Sequence, residues 1–242
     1  PPNTHHHHTR RADAPLLPRQ VDDERDRLKR EVLVVEDSIE VERKERESER
    51  KVVDDLVRER VNDYDLVIVN DFGHGLIAPS TIKLLCRRSK FLAVNAQTNS
   101  ANFGFNLITR YPRADLVCID TPEAQLAVRS KFMEPAEMVG RELPASINCE
   151  RIILTLGRGG CSTWSRGDAV QMIPAFAKSV VDLVGAGDAF LAASAPLAAV
   201  GGSMREVGFL GNVAGALKVG IIGHRSSIDR AALTKSIMGL LK

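Results

Sequence analysis

No glycine occurs before Gly73. That absence excludes a Walker-type phosphate loop or a dinucleotide fingerprint from the first quarter of the chain, because both need glycine to bring backbone close to phosphate. Any nucleotide site must lie later. Cysteine is sparse: Cys86, Cys118, Cys149 and Cys161 form no CxxC pair and no Cys/His metal spacing, and three sit in or beside apolar runs. They read as buried or incidental thiols of a reducing compartment. No apolar run reaches membrane length and the N-terminus lacks the apolar core of a secretion signal, so the expected location is cytoplasmic. A formal net charge of +2, with both signs closely mixed, leaves no basic face for nucleic acid. Neither nucleic acid nor membrane is expected as a partner.

What is present suffices for one sizeable core: 242 residues, 44% hydrophobic, predict one domain with an appendage. Residues 1–20 hold Pro1, Pro2, Pro15, Pro18 and the run His5 to His8, a composition expected to be disordered, with the histidines a chance run or cloning remnant rather than a metal site. From Val21 to Arg60 charge dominates. The apolar patch Val32 to Val35 is expected as a short strand, and Val52, Val53, Leu56, Val57 and Val61 recur at helical spacing, so a solvated helix ends in an amphipathic part. Residues 1–60 are therefore expected to be a disordered, highly charged extension and 61–242 the folded domain.

After Tyr64 strand and helix patterns alternate. Near-continuous apolar runs at 65–70, 91–95, 115–120 and 151–156 read as parallel strands buried on both faces. Helices are expected at 79–88, from Thr121 to about Phe132, at 135–143, 189–199, from Ser203 onward and at 229–241, with a hairpin over 161–176 closed by Arg166-Gly167-Asp168. Polar, glycine-bearing loops follow the strands, at the edge where open α/β sheets bind ligands. Asp71 to Gly75 is one of them. The side-chain amides of Asn95, Gln97, Asn99, Asn102 and Asn106 suit either a polyhydroxylated ligand or their own loop backbone. Thr121 as N-cap, Pro122 at the first helical position and Glu123 in the first turn form a complete capping set.

Val180 to Phe190, VVDLVGAGDAF, is the centre of the pattern. Gly185 and Gly187 let amides near 185–188 converge at a helix start, a natural anion site, and Asp188 stands where a carboxylate can accept the proton of an acceptor hydroxyl. The alternative is a plain strand-to-helix turn in which Asp188 favours the helix dipole.

Val181-Asp182 followed by GAGDAF resembles the C-terminal signature of the ribokinase-like (PfkB-type) carbohydrate kinases, D-T-x-G-A-G-D, with Leu183 where Thr is usual. The resemblance implies Asp188 as catalytic base, Gly185, Ala186 and Gly187 as anion hole, and a monovalent cation near Asp182. Thr155-Leu-Gly157-x-x-Gly160 is similar to the family's nucleotide-binding strand end, and Asn212 matches an Asn near the adenine. These imply ATP contacts at Thr155, Gly157, Gly160 and Asn212. Asp71-Phe-Gly-His-Gly75 resembles the D-Y-x-K-G of heptose-phosphate kinases, with His74 for Lys, and VNAQTNSANFGFN looks like their corresponding segment. Asp71, Asn95, Gln97 and Asn99 are thereby implied in substrate binding. Asp120-x-x-Glu123 is similar to the N-x-x-E motif that organises magnesium and phosphate.

The resemblance covers roughly 61–242. The family's first strands, Gly-Gly substrate motif and β lid are not found, so the chain is expected to be incomplete at its N-terminus. The alternation of strands and helices predicts a three-layer α/β/α fold, ribokinase-like by the resemblance, with a mostly parallel sheet. The implied activity is ATP- and Mg2+-dependent phosphoryl transfer to a hydroxyl of a sugar or sugar phosphate, nearest to heptose-phosphate kinases, with homodimerisation as the expected assembly. Two alternatives stand: a truncated, non-catalytic member that binds nucleotide or a protein partner, and an interaction protein working through 21–60.

Overall fold

The computed structural model describes residues 18–100, 102–177, 179–223 and 225–242. The disorder expected over 1–20 and the run His5 to His8 fall, up to residue 17, outside the described residues, as does His224. Two compact units divide between Ser48 and Glu49. Helix α1 (Pro18–Arg60) spans 43 residues, so the patch Val32 to Val35 is helical and not a strand. Within the first unit α1 carries exposed ion pairs one turn apart, Arg43 to Glu40 and Glu47, and Arg46 to Glu42. Such pairs satisfy a solvated helix without needing a core.

The second unit is built on a six-stranded sheet. Its strands are β1 (Val67–Asp71), β2 (Leu92–Ala96), β4 (Leu116–Asp120), β6 (Arg151–Thr155), β7 (Cys161–Ser165) and β8 (Gln171–Ile173), in that spatial order. The first four run parallel and the last two complete an antiparallel hairpin. A small parallel pair, β3 (Arg113–Ala114) with β5 (Asn148–Cys149), forms a second sheet whose Ala114 and Cys149 join the core beneath the first.

Alternate side chains of β2, β4 and β6 enter different cores, which is why those runs are apolar without a break, whereas on the edge strand β1 Val67 and Val69 pack inward and Ile68 is exposed. Val94, Val117, Ile119, Ile152 and Leu154 face a cluster shared with the end of α1, with α2 (Pro79–Arg88) and with α3 (Thr121–Ala127). That cluster also takes Met138, Val139 and Leu143, from a helical stretch made of α4 (Pro135–Glu137), a π turn (Met138–Glu142) and α5 (Leu143–Ser146). Ala93, Leu116, Cys118 and Ile153 face the other way, onto α6 (Ala186–Ala199) and α7 (Met204–Lys218). Helices thus cover both faces, giving the three-layer α/β/α fold, and α8 (Arg230–Leu240) follows.

Two boundaries differ from the sequence pattern for local reasons. The cap of α3 is Asp120 rather than Thr121: its carboxylate accepts from Glu123 N at 2.8 Å while Glu123 accepts from Asp120 N at 2.9 Å, a complete capping box. The same helix stops at Ala127 and not near Phe132. Arg129 takes a left-handed φ of 54°, Arg129 N donates to Leu126 O and Ser130 N to Gln125 O, closing a Schellman end without glycine. Ser203 and Glu206 do form the expected capping box on α7.

Candidate active site

The loops that follow β1, β2, β4 and β6 gather at one edge of the sheet, and the start of α6 meets them there. Asp182 shapes the approach: its Oδ1 accepts from Val184 N at 2.9 Å, while Val181 N and Asp182 N both donate to Val219 O. Gly185 then caps α6 with φ 76°, a conformation that a side chain would strain. The amides of Gly185, Gly187 and Asp188 find no hydrogen-bond partner among the described residues. Ala186 departs from the expected anion hole, because its amide donates to Leu183 O at 3.2 Å. Three donors and the positive end of a 14-residue helix remain for an anion.

Asp188 lies half-buried in the first turn of α6, and Gln97 Nε2 donates to its Oδ1 at 3.2 Å. The turn separates two clefts. One, of about 530 Å³, is lined by Thr155, Gly157, Gly160, Asn212, Ala186 and Gly187 among others, so all four expected nucleotide residues share it. The other, of about 610 Å³, holds Gly185, Asp188, Lys218 and Ser227. Both volumes fall within the range usual for small-molecule sites.

Inside the first cleft the roles diverge. Gly160, with φ 91°, lies so close to β8 that an added Cβ would meet Ile173 O at 2.0 Å. Asn212 is buried, and its Nδ2 donates to Ile173 O and Pro174 O, both at 3.1 Å, so its amide nitrogen serves the fold and leaves only the oxygen for a ligand. Gly208 and Gly211 accommodate protein neighbours, the latter the ring of Phe190, whereas Gly215 lines the cleft. Arg158, which no motif singled out, also lines it from between Gly157 and Gly159. Leu183, where Thr was usual, is exposed.

Of the four side chains implied in substrate binding, Gln97 alone touches Asp188. Asp71 is turned inward, 3% exposed, accepting from Tyr111 Oη at 2.9 Å, Arg110 at 3.4 Å and Gly73 N at 2.9 Å. Asn99 and Asn102 exchange backbone and side-chain bonds with each other and both donate to Phe72 O. These groups order the loops, the alternative that loop-forming residues left open. Exposed His74 stacks on Phe72. Asn95 donates to Cys118 O at 2.8 Å, and its Oδ1 is buried without a partner among the described residues. Asn70, its partner in register on β1, keeps a buried Oδ1 in the same condition. Sequence alone did not mark Asn70, since alternation within one short strand does not say which strand lies beside it.

Asp120 and Glu123 divide the metal question. Glu123 accepts from Asp120 N and, at 3.2 Å, from Thr98 N, and burial pushes its carboxyl up to about 7. Asp120 spends one oxygen on the cap and is otherwise exposed. Its other oxygen fits magnesium, which binds proteins through one or two carboxylates with phosphate and water completing the shell. Among the described residues no three acidic, His or Cys groups cluster as a ready-made metal site. Near Asp182 the expected monovalent cation finds the carboxylate already committed: Oδ2 accepts from Gly223 N at 2.7 Å.

No described helix is long and apolar enough to cross a membrane. A family model described as pfkB family carbohydrate kinase matches residues 46–231. The chain is similar to the bifunctional protein HldE of Citrifermentans bemidjiense, 24% identical over 178 residues, 73% of this chain and 36% of that protein. The same protein of Geobacter metallireducens is 26% identical over 179 residues, 72% and 35%. The chain therefore spans about a third of the length of these relatives. Among solved structures, Arabidopsis thaliana ribokinase complexed with ribose and ATP aligns with TM-score 0.61 at 19% identity, over 74% of this chain and 57% of that one. A Burkholderia thailandensis nucleoside kinase in complex with inosine aligns with TM-score 0.58 at 23% identity, over 74% and 59%. At such identities the likeness is one of fold.

Proposed function

The chain belongs to the pfkB family of carbohydrate kinases, and from that premise we propose that it transfers the terminal phosphoryl group of ATP to a hydroxyl of a sugar or sugar phosphate, in the manner of heptose-phosphate kinases. One observation carries the reading: three partnerless amides and the Asp188 carboxylate share the first turn of α6, between a cleft lined by Thr155, Gly157 and Gly160 and a cleft lined by the acid itself.

Mg·ATP, when bound, would supply the transferable group and part of the charge neutralisation, and Asp120, with one carboxylate oxygen outside the helix cap, would be the residue to hold the metal. The rest is the work of this chain. Gly185, Gly187 and Asp188 donate amide hydrogens toward the charge that spreads over the phosphoryl oxygens, fixed dipoles that need no reorganisation. Asp188 takes the proton from the acceptor hydroxyl as it attacks. Gln97 holds Asp188 Oδ1, which leaves Oδ2 for that proton.

A second reading, nucleotide binding without transfer, is favoured by the commitment of Asp71 and Asn99 to the protein's own loops. ATP-dependent phosphorylation of a panel of sugars and sugar phosphates, with Asp188→Ala as control, separates the two. Transfer that the variant loses supports the kinase. ATP binding with no transfer to any acceptor selects the second reading.

A further inference from the structure

Some members of the family hold a monovalent cation at the position of Asp182, and the described residues here do not fit one. Asp182 Oδ1 and Oδ2 each accept a backbone amide, from Val184 at 2.9 Å and Gly223 at 2.7 Å. The carbonyl of the same Gly223 accepts from Lys218 Nζ at 2.6 Å. Lys218 is 7% exposed and stands in the last turn of α7, where the helix presents its negative end. Gly223 is thus gripped on one side by a carboxylate and on the other by an ammonium.

We propose that the Lys218 ammonium takes the place of a monovalent cation, bracing the Asp182 turn and the loop around Gly223 so that the start of α6 keeps its shape without added K+. Charge and donor inventory both support this. A hard monovalent cation needs several carbonyl or carboxylate oxygens. Here both Asp182 oxygens and Gly223 O each already accept a hydrogen bond, and a second positive charge beside the Lys218 ammonium is repelled. The ammonium itself is tolerated in the interior because a carbonyl and the field of Asp182 compensate it. The relation runs both ways: the amides of Val184 and Gly223, with a further contribution from Lys218, hold the Asp182 carboxyl below its ordinary range. Val181 N and Asp182 N hang from Val219 O, one residue after Lys218, so the brace and the turn share an anchor. Lys218 also lines the cleft that holds Gly185 and Asp188.

The inference deepens the kinase reading, and its melting arm does not depend on that reading. Thermal unfolding and calorimetric ATP binding are compared in KCl, NaCl and choline chloride at equal ionic strength, for the wild type, Lys218→Met and Lys218→Arg. The wild type is expected to show the same Tm and the same Kd in all three salts. Lys218→Met is expected to melt lower and to bind ATP about tenfold more weakly, the loss of one hydrogen bond from a charged donor. K+ should restore part of both, saturably, while Lys218→Arg stays near wild type. A saturable K+ stabilisation of the wild type, or Lys218→Met unchanged in choline, overturns the proposal. So does an anomalous rubidium peak at Asp182 in wild-type crystals soaked with RbCl. Should Lys218→Met fail to fold, the wild-type salt series and the rubidium crystal decide alone. Should the wild type bind no ATP, the kinase reading fails while the salt dependence of Tm still tests the brace.

Discussion

Gln97 Nε2 donates to Asp188 Oδ1 at 3.2 Å, joining the end of β2 to the first turn of α6 across 91 residues. The bond fixes one carboxylate oxygen of a residue that lines the cleft and leaves the other for a proton. Gln97→Leu removes it without adding charge. Loss of a hydrogen bond to an ionised group, about 1.5–3 kcal/mol, should lower kcat by roughly ten- to a hundredfold with little change in ATP affinity. Asp188→Asn should cost about 10²–10⁴ in kcat. Steady-state phosphorylation assays with parallel ATP titrations measure both, and an unchanged kcat for Gln97→Leu would remove Gln97 from the mechanism.

Two glycines of the site region separate function from packing. A Cβ added at Gly187 meets nothing within 4 Å, whereas one at Gly211 would come within 2.3 Å of the Phe190 ring. Gly187→Ala should leave urea unfolding unchanged or gain up to about 1 kcal/mol from helix propensity. It should nonetheless weaken ATP binding, because the methyl occupies the space before the free amides. Gly211→Ala should instead cost about 1–3 kcal/mol of stability through overpacking. If both variants lose ATP affinity only in step with stability, the anion hole is misplaced.

Glu123 makes stability depend on pH in an unusual direction. Burial raises its carboxyl from 4.5 to about 7, so the folded state holds a proton that the unfolded state has released. The contribution of Glu123 to stability is then greatest below about 4.5, declines as pH rises toward about 7, and stays at the lower level above, by up to about 3 kcal/mol. Glu123→Gln should flatten that decline in a series of Tm values between these limits. An identical slope in the two proteins would place Glu123 in a more solvated setting.

Tyr111 and Asp71 are both buried and bonded at 2.9 Å. Tyr111→Phe leaves a buried carboxylate short of a donor, at a cost of about 1–3 kcal/mol. Urea unfolding should show that loss while ATP affinity, measured well below the transition, stays as in the wild type. A stability-neutral Tyr111→Phe would mean that Asp71 is accessible and free to serve a ligand.

The strand near 115–120, the helix start at Thr121, the capping box of Ser203 and Glu206 and the glycine turn before Asp188 were all legible from the chain alone, because each rests on periodicity or on groups within four residues of one another; the cap residue itself, Asp120 rather than Thr121, was not. The limits of that reach appear at Arg129, where a residue other than glycine takes the left-handed position and ends α3 early. They appear again at Ala186, whose amide is lost to Leu183 within the very motif that announced the site.

Composition and spacing determined the layered α/β architecture and the place where a helix start would gather charge, since strand alternation, caps and glycine turns are local properties of a polypeptide. Only the tertiary structure decided which groups face a ligand. It turned Asp71 inward, tied Asn99 to Phe72 O and set Gln97 against Asp188. It also drew Lys218 and Asp182 onto one glycine. Those pairings join residues up to 91 positions apart, and buried polar groups must find partners wherever packing brings them, which no short stretch of sequence can specify.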